Sequence, residues 1–148
     1  MRTYFVDEYR RQLDERGRMT LPAKVRELIS SNVYITRSPS ERCLLIYTEE
    51  EWGRLSDKIK ELPDLGDARI AMFSRMFFGK ATVSEVDKQG RISIAKRLMD
   101  YAGMSKDVVL VGANTRLELW DEAVWNEYEN SIPDNFMLDG ILKYGINI

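Results

Sequence analysis

Two short stretches carry the residue types best suited to chemistry, and they are near copies of each other: Asp14-Glu15-Arg16-Gly17-Arg18 and Asp87-Lys88-Gln89-Gly90-Arg91. An arginine held beside a turn offers a planar fork of donors that matches a phosphate or the edge of a guanine. An aspartate four residues earlier can build the turn or pair with that arginine, and an exposed pair contributes only about 0–1 kcal/mol. On the residues alone both readings stand: Arg18 and Arg91 contact a polyanion, or they only stabilise their own turns. For Asp14 and Asp87 turn-building is the preferred reading, because a phosphate backbone repels a carboxylate. Catalytic alternatives are few. The chain has no histidine and a single cysteine, Cys43, which excludes zinc fingers, zinc hydrolases and Ser-His-Asp or Cys-His catalysis. The cluster Glu49-Glu50-Glu51 could hold a metal, but Thr48 ahead of it makes a capped, dipole-complementing helix start the simpler account. No paired-carboxylate spacing recurs in both copies, whereas the basic turns do. The expectation is a binding protein, not an enzyme, with no metal and no cofactor.

Charge is unevenly distributed around a formal net value of −2. Between residues 9 and 26, Arg10, Arg11, Arg16, Arg18, Lys24 and Arg26 stand against Asp14 and Glu15, a local +4. Between residues 86 and 97, Lys88, Arg91, Lys96 and Arg97 stand against Asp87, a local +3. The sign reverses over 121–148, where Lys143 alone opposes Asp121, Glu122, Glu127, Glu129, Asp134 and Asp139, giving −5. An acidic average thus conceals two basic patches able to steer a polyanion. Arg16, Lys24, Lys88, Lys96 and Arg97 are candidate phosphate contacts, a weaker class than the two turn arginines, since surface cations often only solvate a face. Phosphate contacts set affinity and salt dependence; base contacts set sequence choice. One unpaired cysteine, no apolar segment behind the N-terminal charges, and no run approaching about 18 apolar residues place the expected home in the cytoplasm, away from membranes.

The elements that must position these turns follow from an internal repeat with an offset of 73 residues between Asp14 and Asp87. Matching apolar positions surround the turns: Leu13/Val86, Met19/Ile92, Leu21/Ile94 and Val25/Leu98. Farther on, the segment from Val33 corresponds to that from Val108, and 45–52 to 118–125. Each copy reads as strand, tight turn, strand, short helix, two strands and a longer helix. Residues 8–13 and 18–21 alternate and are expected to form a hairpin, with Gly17, like Gly90, at positive φ. Pro22 suits the first turn of a helix running to about residue 30. Residues 33–36 and 43–47 read as strands joined by the polar loop 37–42. Thr48 opens a helix with the stripe Trp52, Leu55, Ile59 and Leu62, and Asp121 caps one carrying Val124, Trp125 and Tyr128. Trp52, Trp120 and Trp125 could serve as stacking platforms, but the equivalent helical positions of Trp52 and Trp125 favour core packing. Residues 67–78 read as a further helix between the copies.

The division expected is a first repeat over 1–63, a connecting helix over 64–78, a second repeat over 79–130 and an apolar extension over 131–148, with Pro63 and Gly66 marking the boundary. Neither half could bury its short strands' edges alone. A shared sheet or barrel is therefore expected.

The duplicated Asp-x-x-x-Arg, together with DERGRMTLPAKVRE, CLLIYTEEEW, DKQGRISI, YAGMSKDVVLVG and LELWDEAVW, resembles the bacterial MraZ family over roughly residues 5–128. The resemblance implies kinship with the AbrB and MazE group. The expected fold is then α+β: two tandem hairpin-and-helix repeats forming one pseudo-twofold swapped-hairpin β-barrel with peripheral helices. It further implies a nucleoid-associated transcriptional regulator of the division and cell-wall gene cluster. Such a regulator binds double-stranded operator repeats as a homo-oligomeric ring, with Arg18 and Arg91 as DNA contacts and no small-molecule substrate. An antitoxin-like regulator that also holds a protein partner through its C-terminal tail is the alternative. Three departures stand out. Ala95-Lys96 replace the family's early proline, so the second short helix is expected to start differently and carry more charge. The segment 133–148 does not map to the family pattern. Arg10 and Arg11 stand where the second copy has Val83 and Ser84, which would make the two DNA-facing units unequal.

Overall fold

The computed structural model describes residues 4–148. In the first repeat, β1 (Glu8–Gln12) and β2 (Arg18–Thr20) flank the first turn. Helix α1 (Ala23–Glu27), strands β3 (Asn32–Arg37) and β4 (Leu44–Thr48) and helix α2 (Glu49–Lys60) follow. Helix α3 (Ala68–Phe77) leads into the second repeat: β5 (Thr82–Glu85), β6 (Arg91–Ser93), α4 (Lys96–Tyr101), β7 (Asp107–Ala113), β8 (Arg116–Asp121) and α5 (Glu122–Asn130). A last helix, α6 (Phe136–Lys143), ends the described chain's regular structure.

The strands form a six-stranded antiparallel sheet, ordered β1-β7-β8-β4-β3-β5, and a two-stranded ribbon, β2-β6. Exchanging each strand for its repeat equivalent reverses the sheet order and reproduces it. The pseudo-twofold axis is visible in the registers. Met19 lies opposite Ile92 in the ribbon, and Leu45 opposite Glu118 at the centre of the sheet; each pair consists of equivalent residues. Strands are exchanged between the repeats, since β1 pairs with β7 of the second copy and β5 with β3 of the first.

Two apolar layers hold this arrangement. One lies between the sheet and the ribbon with α1 and α4, around Met19, Val25, Ile35, Ile92, Leu98, Leu110 and Leu119. The other lies on the opposite sheet face under α2, α3 and α5, around Cys43, Leu45, Phe77 and Trp120. Trp52 stacks between Tyr34 and Phe77, with ring centroids 5.1 and 5.6 Å away, and Trp120 packs against Trp125 and Tyr128. These tryptophans are core residues. Burial pushes the Cys43 thiol up to about 12, so it stays neutral.

Several expectations change. The sheets do not close into a barrel: β1 and β5 remain edge strands and the ribbon lies across one face. Nor do the strands flanking each turn form a hairpin ladder. The Asp14 N–H donates to the Arg18 carbonyl, at 2.9 Å, and the Leu13 N–H to the Lys106 carbonyl, also at 2.9 Å; beyond that the two strands part company. The reason is apolar: Met19 and Ile92 are fully buried and draw β2 and β6 together at the axis, whereas β1 buries no side chain fully between Glu8 and Gln12. Helix α1 is one short turn, with Pro22 at its N-cap rather than inside it. Ala95 caps α4 at the equivalent place and with nearly the same ψ, 141° against 146°, so losing the proline does not move that helix start. Among the described residues, no helix is long and apolar enough to cross a membrane.

Candidate nucleic-acid interface

Both turns are built by one carboxylate. Asp14 Oδ1 accepts from the backbone N–H groups of Arg16 and Arg18, each at 2.9 Å, while its Oδ2 accepts from Arg18 Nε at 2.8 Å. Asp87 repeats this with the N–H groups of Gln89 and Arg91 at 2.9 Å and Arg91 Nε at 2.8 Å. The Arg18 N–H bonded to it, opposed by partial burial and aided by the Arg18 guanidinium and the Arg16 N–H, holds Asp14 below the usual carboxylate range. Asp87 is held down in the same way, first by the Arg91 N–H. Gly17 and Gly90 close the turns at φ 73° and 78°, where a side chain is strained.

Each turn is tied to the far strand. The Ile94 N–H donates to the Gly17 carbonyl and the Leu21 N–H to the Gly90 carbonyl, both at 2.8 Å. The turns therefore sit at opposite ends of the β2-β6 ribbon. Because Met19 and Ile92 point inward, strand alternation turns Arg18, Thr20, Arg91 and Ser93 outward. Nε of each arginine is engaged by its aspartate, which limits the rotation of the guanidinium and leaves its Nη donors unused by that pair. Their side chains are 27% and 26% exposed, enough to present those donors and too little to wander. Thr20 and Ser93 are exposed equivalents beside them, two hydroxyls that the period-two alternation around Met19 and Ile92 could have pointed out.

The weaker class divides. Arg16 and Lys88 are exposed on the turns, and Lys24 and Arg97 are exposed, equivalent positions on the helices that follow the ribbon strands. Lys96 is exposed too, but its Nζ lies 3.3 Å from the Asp100 carboxylate on the same helix. Arg26 was counted only for its charge, yet its Nη2 donates to the Lys88 carbonyl at 3.1 Å and braces the second turn from the first repeat. Its equivalent, Met99, lies beside the first turn instead, with Cε 3.2 Å from where a Cβ on Gly17 would stand. Arg10 reaches Glu8 at 3.5 Å and Glu122 of α5 at 3.4 Å, and Arg11 lies over the Tyr9 ring, so part of the extra charge of β1 is neutralised within the chain. Thr48 accepts from the Glu51 N–H and Arg54 pairs with Glu50 and Glu51, which accounts for that acidic cluster as a helix start.

The ribbon and its turns form one outward face with four donor-bearing side chains, anchored carboxylates and flanking cations, a surface suited to a polyanion read in register. The profile of the family described as "MraZ protein, putative antitoxin-like" matches residues 4–72 and 77–138, one match for each repeat. The second match reaches residue 138, so the start of the C-terminal extension does fall within the family pattern. A protein named transcriptional regulator MraZ from Natranaerobius thermophilus is 41% identical over 133 residues, covering 89% of this chain and 91% of that protein. Being of this kind, the chain is a regulator rather than an enzyme. With two tandem matches that together span most of its length, and a relative that similar, the chain belongs to the MraZ family of transcriptional regulators.

Proposed function

We propose that this protein binds double-stranded DNA sequence-specifically through the β2-β6 ribbon and its two turns, reading short operator repeats as a ring-like homo-oligomer. The observation that carries the reading is the duplicated Asp–Arg turn, in which each guanidinium is held through Nε and each arginine stands on the outward side of one ribbon. The major groove of B-DNA admits a two-stranded ribbon, and an arginine fork fits the O6/N7 edge of guanine. Arg18 and Arg91 supply base contacts in this account. Arg16, Lys24, Lys88, Lys96 and Arg97 supply phosphate contacts, while Asp14, Gly17, Asp87 and Gly90 hold the turns. Lys96 contributes least, since Asp100 competes for it.

Oligomerisation follows from the weakness of a single copy. A chain of net charge −2 with two small basic faces holds a phosphate backbone poorly. A ring that sets several ribbons on one side makes each later contact intramolecular. Family membership supports a target in the division and cell-wall gene cluster and a place in the cytoplasm, on the nucleoid. A genome-wide pull-down of DNA bound by this protein tests the reading. Enrichment of spaced repeats upstream of that cluster is expected; recovery of no discrete site would refute it.

A further inference from the structure

Helix α6 has every residue exposed, although Phe136, Met137, Leu138, Ile141 and Leu142 make most of it apolar. An eight-residue helix is marginal in water without tertiary packing. A contiguous apolar surface of this kind marks an interaction site. Elsewhere in the chain lies a groove of about 340 Å³, lined by Arg37, Arg69, Met72, Met76, Phe77 and Tyr101. Met72 is 62% exposed, and methionines adapt readily to the shape of an apolar partner.

Charge indicates what fills the groove. Arg37 Nε is buried and has no hydrogen-bond partner among the described residues. Its guanidinium rests 4.5 Å over the Tyr101 ring, and Nη2 reaches only the Met76 sulfur, a weak acceptor, at 3.3 Å. Arg37 forms no ion pair among the described residues, so its charge awaits a carboxylate. Arg69 and Arg75 add positive charge along α3, although Asp67 pairs with Arg69 at 2.9 Å. On α6, Leu138, Ile141 and Leu142 form one stripe with Asp139 at its edge, and Lys143 one turn later leaves the helix without net charge. The apolar lining and unpaired Arg37 of the groove match the apolar stripe and Asp139 of the helix.

We propose that α6 of one subunit docks into the Arg37–Met72–Met76–Tyr101 groove of a second copy, with the Leu138 stripe against the methionines and Asp139 beside Arg37. The contact is head-to-tail, the geometry that generates rings when it closes. It rests on the homo-oligomer reading above and names the surfaces that make it. Full-length Met72→Cys/Leu138→Cys protein, oxidised mildly and run on a non-reducing gel, tests it alongside each single variant and the native mass in solution. Cys43 is buried and its thiol stays protonated, so it does not compete. A ladder of covalent multimers from the pair but not from the single variants is expected. The native oligomer should also fall toward the 17.2 kDa monomer in Met72→Glu. An oligomeric native protein whose cysteine pair gives no ladder overturns the docking but leaves the homo-oligomer standing, and frees the tail for a different protein. Cross-links confined within one chain overturn it too, since the tail then fills its own groove. A monomeric native protein removes the homo-oligomer and this contact together.

Discussion

Alanine at the two turn glycines should expose an asymmetry that the repeat conceals. Both positions lie in the left-handed region, which costs a side-chain-bearing residue roughly 1–2 kcal/mol. Their surroundings differ. A Cβ at Gly17 would stand 2.9 Å from the Ile94 carbonyl oxygen, backbone held in place by the Ile94 N–H bond to Gly17 itself, and 3.2 Å from Met99 Cε. Forced backbone shifts of this sort typically add about 1–3 kcal/mol. At Gly90 the nearest atoms are Nη1 and Cδ of Arg26, at 2.9 and 3.1 Å, the outer part of an exposed side chain that can swing aside. Gly17→Ala should therefore lose about 2–5 kcal/mol, and Gly90→Ala the left-handed penalty of roughly 1–2 kcal/mol plus at most about 1 kcal/mol for the exposed Arg26 bond to the Lys88 carbonyl. Urea unfolding at fixed protein concentration, followed by fluorescence of the three core tryptophans, reads the difference directly. Equal losses, or a larger loss for Gly90→Ala, would refute the argument that a rigid carbonyl and a flexible arginine distinguish the turns.

Other outcomes follow from the same geometry. Lys24→Ala or Arg97→Ala should lower the slope of log affinity against log salt by about one unit while leaving the preference for operator over random DNA unchanged, as titrations at several salt concentrations will report. Asp14 and Asp87 have lowered pKa values in the fold. Their contribution to stability is therefore complete above the unfolded-state value near 3.8 and is lost as pH falls through the lower folded values. Asp14→Asn/Asp87→Asn should accordingly lose less stability than the native protein between about pH 5 and about pH 2, measured by melting temperature. Operator repeats spaced about 10–10.5 bp apart should bind about 10²–10⁴-fold more tightly than one repeat. Inserting about half a helical turn between them should remove most of the gain in a mobility-shift assay.

Much of the site was legible because its determinants are local. The spacing of Asp14, Gly17 and Arg18 defines a turn within five residues, and its recurrence at Asp87, Gly90 and Arg91 exposes the repeat. Alternation around Met19 and Ile92 separates an inward from an outward face. What escaped depends on distant partners. Whether β1 pairs with β2 or with β7 is not a property of either strand, because both pairings leave the Asp14 turn intact; buried area at the axis decides it. The bracing role of Arg26 arises only where α1 meets the Lys88 carbonyl, 62 residues away in the chain. Arg10 read as free positive charge because Glu122, its partner across the fold, is remote in sequence. Unpaired strand edges left a shared sheet and a barrel both open, and kinship favoured the barrel; the shared sheet is what forms, with β1 and β5 as its edges.

In the function proposed, two pinned arginines, and not diffuse positive charge, read the DNA. Removing both side chains leaves the turns intact, since Asp14 and Asp87 still accept backbone N–H groups that alanine retains. The direct measurement is a titration of operator DNA and of random DNA with native protein and with folded Arg18→Ala/Arg91→Ala. A loss of roughly 1–3 kcal/mol per missing base contact is expected on the operator, with a much smaller loss on random DNA. Undiminished operator affinity in the double variant would contradict it.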